Sequence, residues 1–269
     1  MNPDACRAER LASDATSLDL GGRRREVTSL FTDITGFTGL VENLDPALLS
    51  EVLNEYLCEM ADVVFAHEGT VAKIVGDAIH VLFGAPGDQP DHSTRAVACA
   101  LALDACSEAF RARWAMKGVA LGATRIGVHT GPAIVGNFGG GRFFDYTAYG
   151  DTINTAARLE AANKHLGTRI CVSAAIAGGV EHFQGRPVGD LVLRGRSEPL
   201  RAYEPLVSER FEAPATAQYS EAFAKLEAGD AAAMPAFAAL VGLHADDALA
   251  GFHLRRLLNG AKGVSMKLE

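Results

Sequence analysis

Two aspartates stand where the chain turns out of predicted strands. Asp33 ends the apolar stretch "EVTSLFTDI", and Asp77 occupies the Gly-Asp turn of the hairpin "GTVAKIVGDAIHVLFGAP". If both turns lie at one edge of a sheet, the two carboxylates and a backbone carbonyl such as that of Ile34 form a set of hard oxygen ligands. Such a set suits Mg²⁺ or Mn²⁺ carrying a phosphate substrate. Each aspartate alone is more often an ordinary turn or capping residue than a metal ligand.

A third polar set opens the predicted helix "DTINTAARLEAANKHLG". Asn154 and Arg158 are four residues apart, which places them one turn apart on one helix face. An amide and a guanidinium aligned in this way can orient a ribose and meet negative charge that develops on a phosphate. A solvated helix face has the same pattern, so this pair is informative only beside the two aspartates.

The elements that must position these groups alternate between strand and helix patterns. Asp45 as N-cap and Pro46 begin one long amphipathic helix, and "DHSTRAVACALALDACSEAFRARWA" predicts another. The order strand, helix, hairpin, helix, strand, strand, helix and closing strands predicts an α+β fold, with helices on one face of an antiparallel-rich sheet. A glycine-rich excursion, "GNFGGGRFF", is expected between the strand "RIGVHTG" and a short strand around Phe144 to Thr147.

The chain divides into three predicted parts. Residues 1–24 are polar and predict a linker, which suggests an N-terminal sensor domain in a longer native protein. Residues 25–207 predict the main domain. Residues 208–269 predict a helical extension of about three short helices, broken at Gly229-Asp230 and near His244-Ala245, that resembles a tetratricopeptide-like fragment. The terminal "KLE" has the form of a cloning scar and is set aside.

Composition excludes several classes of protein. The formal net charge of −8 argues against a nucleic-acid binder with a broad basic surface. No apolar run reaches the roughly 18 residues of a membrane helix, and no signal peptide is visible. We therefore expect a soluble, cytoplasmic chain, although a longer native protein could be tethered to a membrane. The five cysteines form no C-x-x-C pair, so neither a zinc site nor a disulfide framework is predicted.

Three stretches taken together resemble a known family. They are "FTDITGFT", "HEGTVAKIVGDAIHVLFGAP" and "IGVHTGPAIVGN…DYTAYGDTINTAARLE". In this order they closely resemble the catalytic domain of class III nucleotidyl cyclases, over roughly residues 25–207. The resemblance implies the family's ferredoxin-like, palm-like sheet with helices. It also implies a two-fold symmetric homodimer with sites shared between subunits, in which the glycine-rich excursion is the dimerisation arm.

The resemblance assigns roles to individual residues. Asp33 and Asp77, assisted by the carbonyl of Ile34, would hold two Mg²⁺ or Mn²⁺ ions in each site. Asn154 would orient the ribose, and Arg158 would stabilise the transition state at the α-phosphate.

Three further residues are assigned to nucleotide binding. Lys73 matches the purine-reading lysine, and Thr147 matches the second purine reader, which is threonine in a subset of adenylyl cyclases. Arg196, with Arg194 as its close alternative, matches a basic contact to the terminal phosphates. Lysine can donate to N1 of adenine and threonine can accept from N6, so the predicted substrate is ATP and the predicted products are cyclic AMP and pyrophosphate.

Alternative functions make different demands on the sequence. A guanylyl cyclase would carry an acid and a small polar residue in place of Lys73 and Thr147. A diguanylate cyclase would carry a GG-[DE]-E-F hairpin, where this chain reads "VGDAI". A non-catalytic nucleotide-sensing dimerisation module would usually lack a metal acid or the Asn/Arg pair. A peptide-binding scaffold would need a longer helical tail. The activating signal, with bicarbonate or CO₂ as one candidate, and the physiological metal stay open.

Overall fold

The computed structural model of this chain describes residues 21–140, 143–195 and 198–268. The strands of this part are β1 (Gly21–Ile34), β2 (Thr70–Val75), β3 (Ala78–Phe83), β4 (Thr124–Gly140), β5 (Phe143–Tyr149), β6 (Ile170–Ser173), β7 (Gly185–Val192), β8 (Leu200–Pro205) and β9 (Ser265–Lys267). The helices are α1 (Phe37–Asn43), α2 (Pro46–Ala66), α3 (His92–Met116), α4 (Asp151–Leu166), α5 (Ala174–Gly178), α6 (Ser208–Phe211), α7 (Pro214–Glu227), α8 (Ala233–Leu243) and α9 (Ala248–Leu258). No helix in these ranges is long and apolar enough to cross a membrane.

The strands join one sheet in the order β2-β3-β1-β4-β6-β8-β7-β9, and β5 pairs with the second half of β4. The pairs β4–β6 and β7–β9 are parallel. The other pairs are antiparallel. The predicted α+β class with an antiparallel-rich sheet is therefore confirmed.

Helices cover both faces of the centre of this sheet. Leu30 of β1 and Val128 of β4 belong to the apolar core that α2 and α3 also build. Gly127, the residue before Val128, faces the opposite side of the sheet, because successive residues of a strand alternate between its two faces. A β carbon at Gly127 would lie only 2.1 Å from the backbone nitrogen of Glu160, so α4 rests on that face. The prediction that helices lie on one face is wrong, since glycine allows a helix backbone to approach the second face directly.

The glycine-rich stretch continues a strand instead of interrupting it. β4 runs through it to Gly140 and pairs with β5, so the predicted excursion is a β-hairpin arm whose residues 141 and 142 lie outside the described part. A β carbon at Gly136 would lie 2.0 Å from the carbonyl oxygen of Gly21, which explains why glycine suits this crowded position. β1 begins at Gly21, so the end of the predicted linker belongs to the sheet, and residues 1–20 lie outside the described part.

The C-terminal extension contains the three short helices that the sequence predicts, as α7, α8 and α9. They are separated near Gly229 and His244. Their apolar residues share one core with Leu159 and Leu166 of α4 and with residues of β7, so the extension packs on the sheet beside that helix. β9 then pairs with β7 and includes Lys267, although "KLE" was set aside as a scar.

A buried arginine connects the extension to the sheet. Arg186 of β7 donates from Nε to Glu204 of β8 at 2.6 Å, and from Nη1 and Nη2 to Asp247 at 2.6 and 3.0 Å. Its guanidinium also lies 4.5 Å from the ring centre of Tyr219 of α7. Breaking a buried ion pair by removing one partner costs about 3–5 kcal/mol. These contacts therefore make the extension part of the same folded unit as the sheet.

His253 of α9 is a fully buried histidine in the core of the extension. Its ring lies 5.2 to 6.1 Å from the ring centres of Tyr219, Phe223 and Phe237. Burial, and then the positive charge of Arg256, lower the pKa of His253 to about 3. The folded protein therefore holds this imidazole neutral, whereas the unfolded chain protonates it near pH 6.5.

Acid should destabilise the fold through His253. The unfolded state binds a proton below about pH 6.5 and the folded state does not, so stability falls as the pH falls through this range. The loss attributable to His253 between neutral pH and about pH 5 is about 2 kcal/mol. Urea denaturation at the two pH values measures it. His253→Phe should show a correspondingly smaller loss, and an identical pH dependence in both proteins would contradict this role.

Candidate active site

The structure brings Asp33 and Asp77 to the same edge of the sheet. Asp77, in the β2–β3 turn, accepts a hydrogen bond through Oδ2 from the backbone N–H of Ile34 at 2.7 Å. Burial raises the pKa of Asp77, the hydrogen bond from Ile34 lowers it, and the negative charge of Asp33 raises it again. The carboxylate of Asp33 is thus close enough to disfavour the charge of Asp77, and a bound cation would relieve that repulsion.

Arg125, at the start of β4, is the cation that Asp33 contacts. Its Nη2 donates to Oδ2 of Asp33, and its Nε donates to Glu160 of α4 at 2.8 Å. Burial raises the pKa of Glu160 to about 7, although the charge of Arg125 opposes this rise. These contacts link Asp33, a predicted metal ligand, to the helix of Asn154 and Arg158. The sequence analysis missed Arg125, because only the β1–β4 register reveals that it lies opposite Asp33.

The chemistry of this edge fits divalent cations. Carboxylate oxygens are the ligands that Mg²⁺ prefers, and one or two of them suffice when substrate phosphates and water complete the coordination shell. No group of three or more His, Cys, Asp or Glu side chains suited to a metal ion occurs in the described ranges. The contact that Ile34 makes here uses its N–H. Coordination by its carbonyl stays a prediction.

A separate open groove of about 330 Å³ brings together Lys73, Thr147 and Asn154. β2 supplies the lysine, β5 the buried threonine and α4 the amide. Nζ of Lys73 lies 3.3 Å from Oδ2 of Asp145, an acid that the sequence analysis did not single out. Asp145 stands two residues before Thr147, on the same face of β5. Three elements distant in sequence therefore present a cation, a hydroxyl and an amide to one space.

Ala78, the residue after Asp77, lines this groove, but the two predicted metal acids do not. Of the described residues, those lining the groove include neither Asp33 nor Asp77. The predicted base readers and Asn154 thus share the groove, and the two aspartates lie outside its lining.

Arg158 lies one helical turn after Asn154, with a third of its side chain exposed. Its Nη1 is buried and has no hydrogen-bond partner among the described residues. The nearest acid, Asp151, is 3.8 Å from Nη1, too far for a hydrogen bond. A buried guanidinium nitrogen in this state can bind an anionic ligand without first breaking a hydrogen bond.

The loop predicted to carry a phosphate contact passes beside Arg158. A β carbon at Gly195 would lie 3.4 Å from Nη2 of Arg158. Arg194, the alternative residue, is exposed. Arg196 itself lies outside the described residues.

Comparison with known proteins identifies relatives of this chain. Residues 22–204 match the family model described as the Adenylate and Guanylate cyclase catalytic domain. Adenylate cyclase 1 of Rhizobium meliloti is 39% identical over 188 residues, which are 68% of this chain and 28% of that protein. An uncharacterized protein of Mycobacterium tuberculosis is 35% identical over 198 residues, 72% of this chain and 35% of that protein. The chain therefore spans about a third of the length of these relatives.

Solved structures show the same fold. The adenylyl cyclase CyaB from P. aeruginosa superposes with a TM-score of 0.66 at 32% identity, covering 72% of this chain and all of that one. The guanylyl cyclase Cya2 superposes with a TM-score of 0.62, also at 32% identity, covering 69% of this chain and 94% of that one. One of these two proteins is an adenylyl cyclase and the other a guanylyl cyclase, and both have the same sequence identity to this chain. Their structural similarity therefore does not decide between ATP and GTP as the substrate.

The substitution Asp77→Asn tests metal binding independently of folding. Because burial and Asp33 disfavour the charge of Asp77, the neutral amide should leave the metal-free protein at least as stable as the wild type. Mn²⁺ should raise the melting temperature of the wild type and have little effect on the variant. Thermal unfolding with and without Mn²⁺ measures both. Asp62→Asn, at an exposed position of α2, should keep the wild-type response. An equal Mn²⁺ shift in Asp77→Asn would rule out this metal role.

Proposed function

Because this chain belongs to the adenylate and guanylate cyclase catalytic domain family, we propose that it is an adenylyl cyclase. It converts ATP to 3′,5′-cyclic AMP and pyrophosphate through its cyclase domain, residues 25–207, which carries the helical extension 208–269. The observation that carries this proposal is the groove in which Lys73, Thr147 and Asn154 face one another. The name of the Rhizobium relative, an adenylate cyclase, supports the same base.

Hydrogen-bond polarity explains the choice of ATP. Adenine presents an acceptor at N1 and a donor at N6, whereas guanine presents a donor at N1 and an acceptor at O6. The ammonium of Lys73 donates to N1, and the hydroxyl of Thr147 accepts from N6. With GTP, each mispaired buried group costs about 1–3 kcal/mol.

The other residues act on the ribose and the phosphates. Asn154, at the mouth of the same groove, orients the ribose. Nη1 of Arg158, which lacks a hydrogen-bond partner among the described residues, binds the α-phosphate and stabilises its developing charge. Arg196 binds the terminal phosphates. Two Mg²⁺ or Mn²⁺ ions, held by Asp33, Asp77 and the carbonyl of Ile34, lower the pKa of the ribose 3′-hydroxyl and neutralise the triphosphate when bound.

Two copies of the chain complete each site. The metal acids are not among the residues that line the base-reading groove of the same chain. A two-fold symmetric homodimer can set the acids of one subunit against the groove of the other, which gives two equivalent sites.

Base choice is tested by product analysis. The wild-type protein, given ATP or GTP with Mg²⁺ or Mn²⁺, should form cyclic AMP from ATP. Lys73→Glu combined with Thr147→Cys reverses the polarity offered to the base, so the ratio of ATP to GTP turnover should fall about tenfold or more. Initial rates are compared at equal amounts of folded protein, judged by thermal melting. An unchanged ratio would remove the main support for the adenylyl assignment.

Subunit mixing tests the shared site. Asp33→Ala and Arg158→Ala should each be inactive as homodimers. In a mixed dimer one site receives both defects and the other receives neither, so random re-pairing should restore about a quarter of wild-type activity. Rates measured after mixing, with subunit exchange verified by differently tagged chains, give the answer. Exchange without recovery would exclude this arrangement.

A further inference from the structure

The base-reading groove contains one more polar ring, His80 of β3. It is 6% exposed and lines the groove together with Lys73 and Thr147. Lys73 of β2 is its direct partner across the strands, and Phe31 of β1 is its partner on the other side. Cross-strand partners project from the same face at the same level. A base edge that reaches Lys73 is therefore also within reach of His80.

Two contacts hold the imidazole in one orientation. Its ring is stacked on Phe31, with ring centres 4.2 Å apart and planes 5° apart. Its Nε2 lies 3.0 Å from Oγ of Ser29, a fully buried hydroxyl. With Nε2 engaged and one ring face covered, Nδ1 is the nitrogen left to meet a ligand in the groove. The orientation is set before any nucleotide binds, which reduces the entropic cost of a hydrogen bond to it.

The ring is also neutral, which a histidine must be to accept a hydrogen bond at Nδ1. Burial, and then the positive charge of Lys73, lower the pKa of His80 to about 4. A neutral imidazole carries one donor and one acceptor. When Nε2–H donates to Ser29, Nδ1 is an acceptor, and this is the polarity that suits the amino group of adenine.

Another histidine of the sheet provides a comparison. His129 of β4 is also buried and also contacts a serine. In this case the contact is through Nδ1, which lies 2.7 Å from Oγ of Ser173. His129 is not among the described residues that line the groove. Both histidines are buried and contact a serine, as a purely structural histidine often does. Of these two, only His80 also lines the groove beside Lys73 and Thr147.

We propose that His80 is a third base-contacting residue, which accepts a hydrogen bond at Nδ1 from the purine and adds to the preference for adenine, with Ser29 and Phe31 as its positioning residues. The inference rests on the proposed function, since it assigns a contact within that nucleotide site. It predicts that base selection depends on the nitrogen at Nδ1 and not only on the shape of the ring.

Three substitutions separate the two nitrogens of the ring. His80→Phe keeps a ring on Phe31 but removes both nitrogens. His80→Gln can place its amide where Nε2 was, so it keeps the Ser29 contact without Nδ1. His80→Asn can place its amide near Nδ1 and gives up Ser29. The preference for ATP over GTP should fall about tenfold in His80→Phe and His80→Gln and be largely retained in His80→Asn.

Initial rates are measured with ATP and with GTP. Dissociation constants are measured with analogues of ATP and GTP that cannot be cyclised. His129→Gln is the control, because it removes the serine contact of His129 and should lower stability while affecting both nucleotides equally. If His80→Phe does not fold, the glutamine and asparagine variants decide the question. An unchanged ATP-to-GTP ratio in folded His80→Gln, or a preference lost in His80→Asn and kept in His80→Gln, would overturn the inference.

Failure of the proposed function would look different. A wild-type protein that cyclises neither ATP nor GTP would contradict the adenylyl cyclase assignment. The dissociation constants would still show whether His80 contributes to base selection. An active wild type whose His80 variants keep its ratio would reject the role of His80 alone.

Discussion

Helix α4 rests on the central sheet at Gly127, and the arrangement of the site depends on this contact. A β carbon there would lie 2.3 Å from the carbonyl oxygen of Ala156, so even an alanine would push the helix outward. At the observed distance, Glu160 reaches Arg125, which in turn contacts Asp33. The same approach sets Asn154 at the groove. The position of one helix over one glycine therefore decides where Glu160 and Asn154 lie, and the hydrogen bond from Ile34 to Asp77 holds the turn that carries the second aspartate.

Asp33 and Glu160 share a single cation, Arg125. Arg125 is mostly buried and binds one carboxylate from the sheet and one from the helix. A metal ion at Asp33 would compete with Arg125 for the same oxygens, and Glu160 would then be the remaining partner of the guanidinium. Arg125 is thus a cation of the protein itself that stabilises the carboxylate of Asp33. A partly buried carboxylate commonly requires such a partner.

Local signals explain what the sequence predicted well. The carboxylate of Asp45 accepts hydrogen bonds from the backbone of Ala47 and Leu48, so the start of α2 follows from capping chemistry within a few residues. The Gly76-Asp77 turn and the breaks between α7, α8 and α9 are likewise local. Arg125, Asp145 and His80 were missed, because each acquires its role from partners on other strands, and strand register is not a local property.

The length of β4 and the pairing of β9 were missed for related reasons. Glycine usually weakens a strand, but in β4 it permits close contact with β1, which outweighs the local preference. A three-residue strand such as β9 has no detectable period of its own. It forms because β7 offers an unpaired edge beside it.

The packing of the extension on α4 has a consequence for the order of events during biosynthesis. Leu159 and Leu166 share one apolar core with residues of α7, α8 and α9, which leave the ribosome well after α4 has been made. Until residues 248–267 emerge, this core is incomplete and the edge of β7 stays unpaired. A nascent chain in this state exposes apolar surface and a free strand edge, which are the features that chaperones bind and that promote aggregation. Translation speed through the extension therefore sets how long each new chain remains in that vulnerable state.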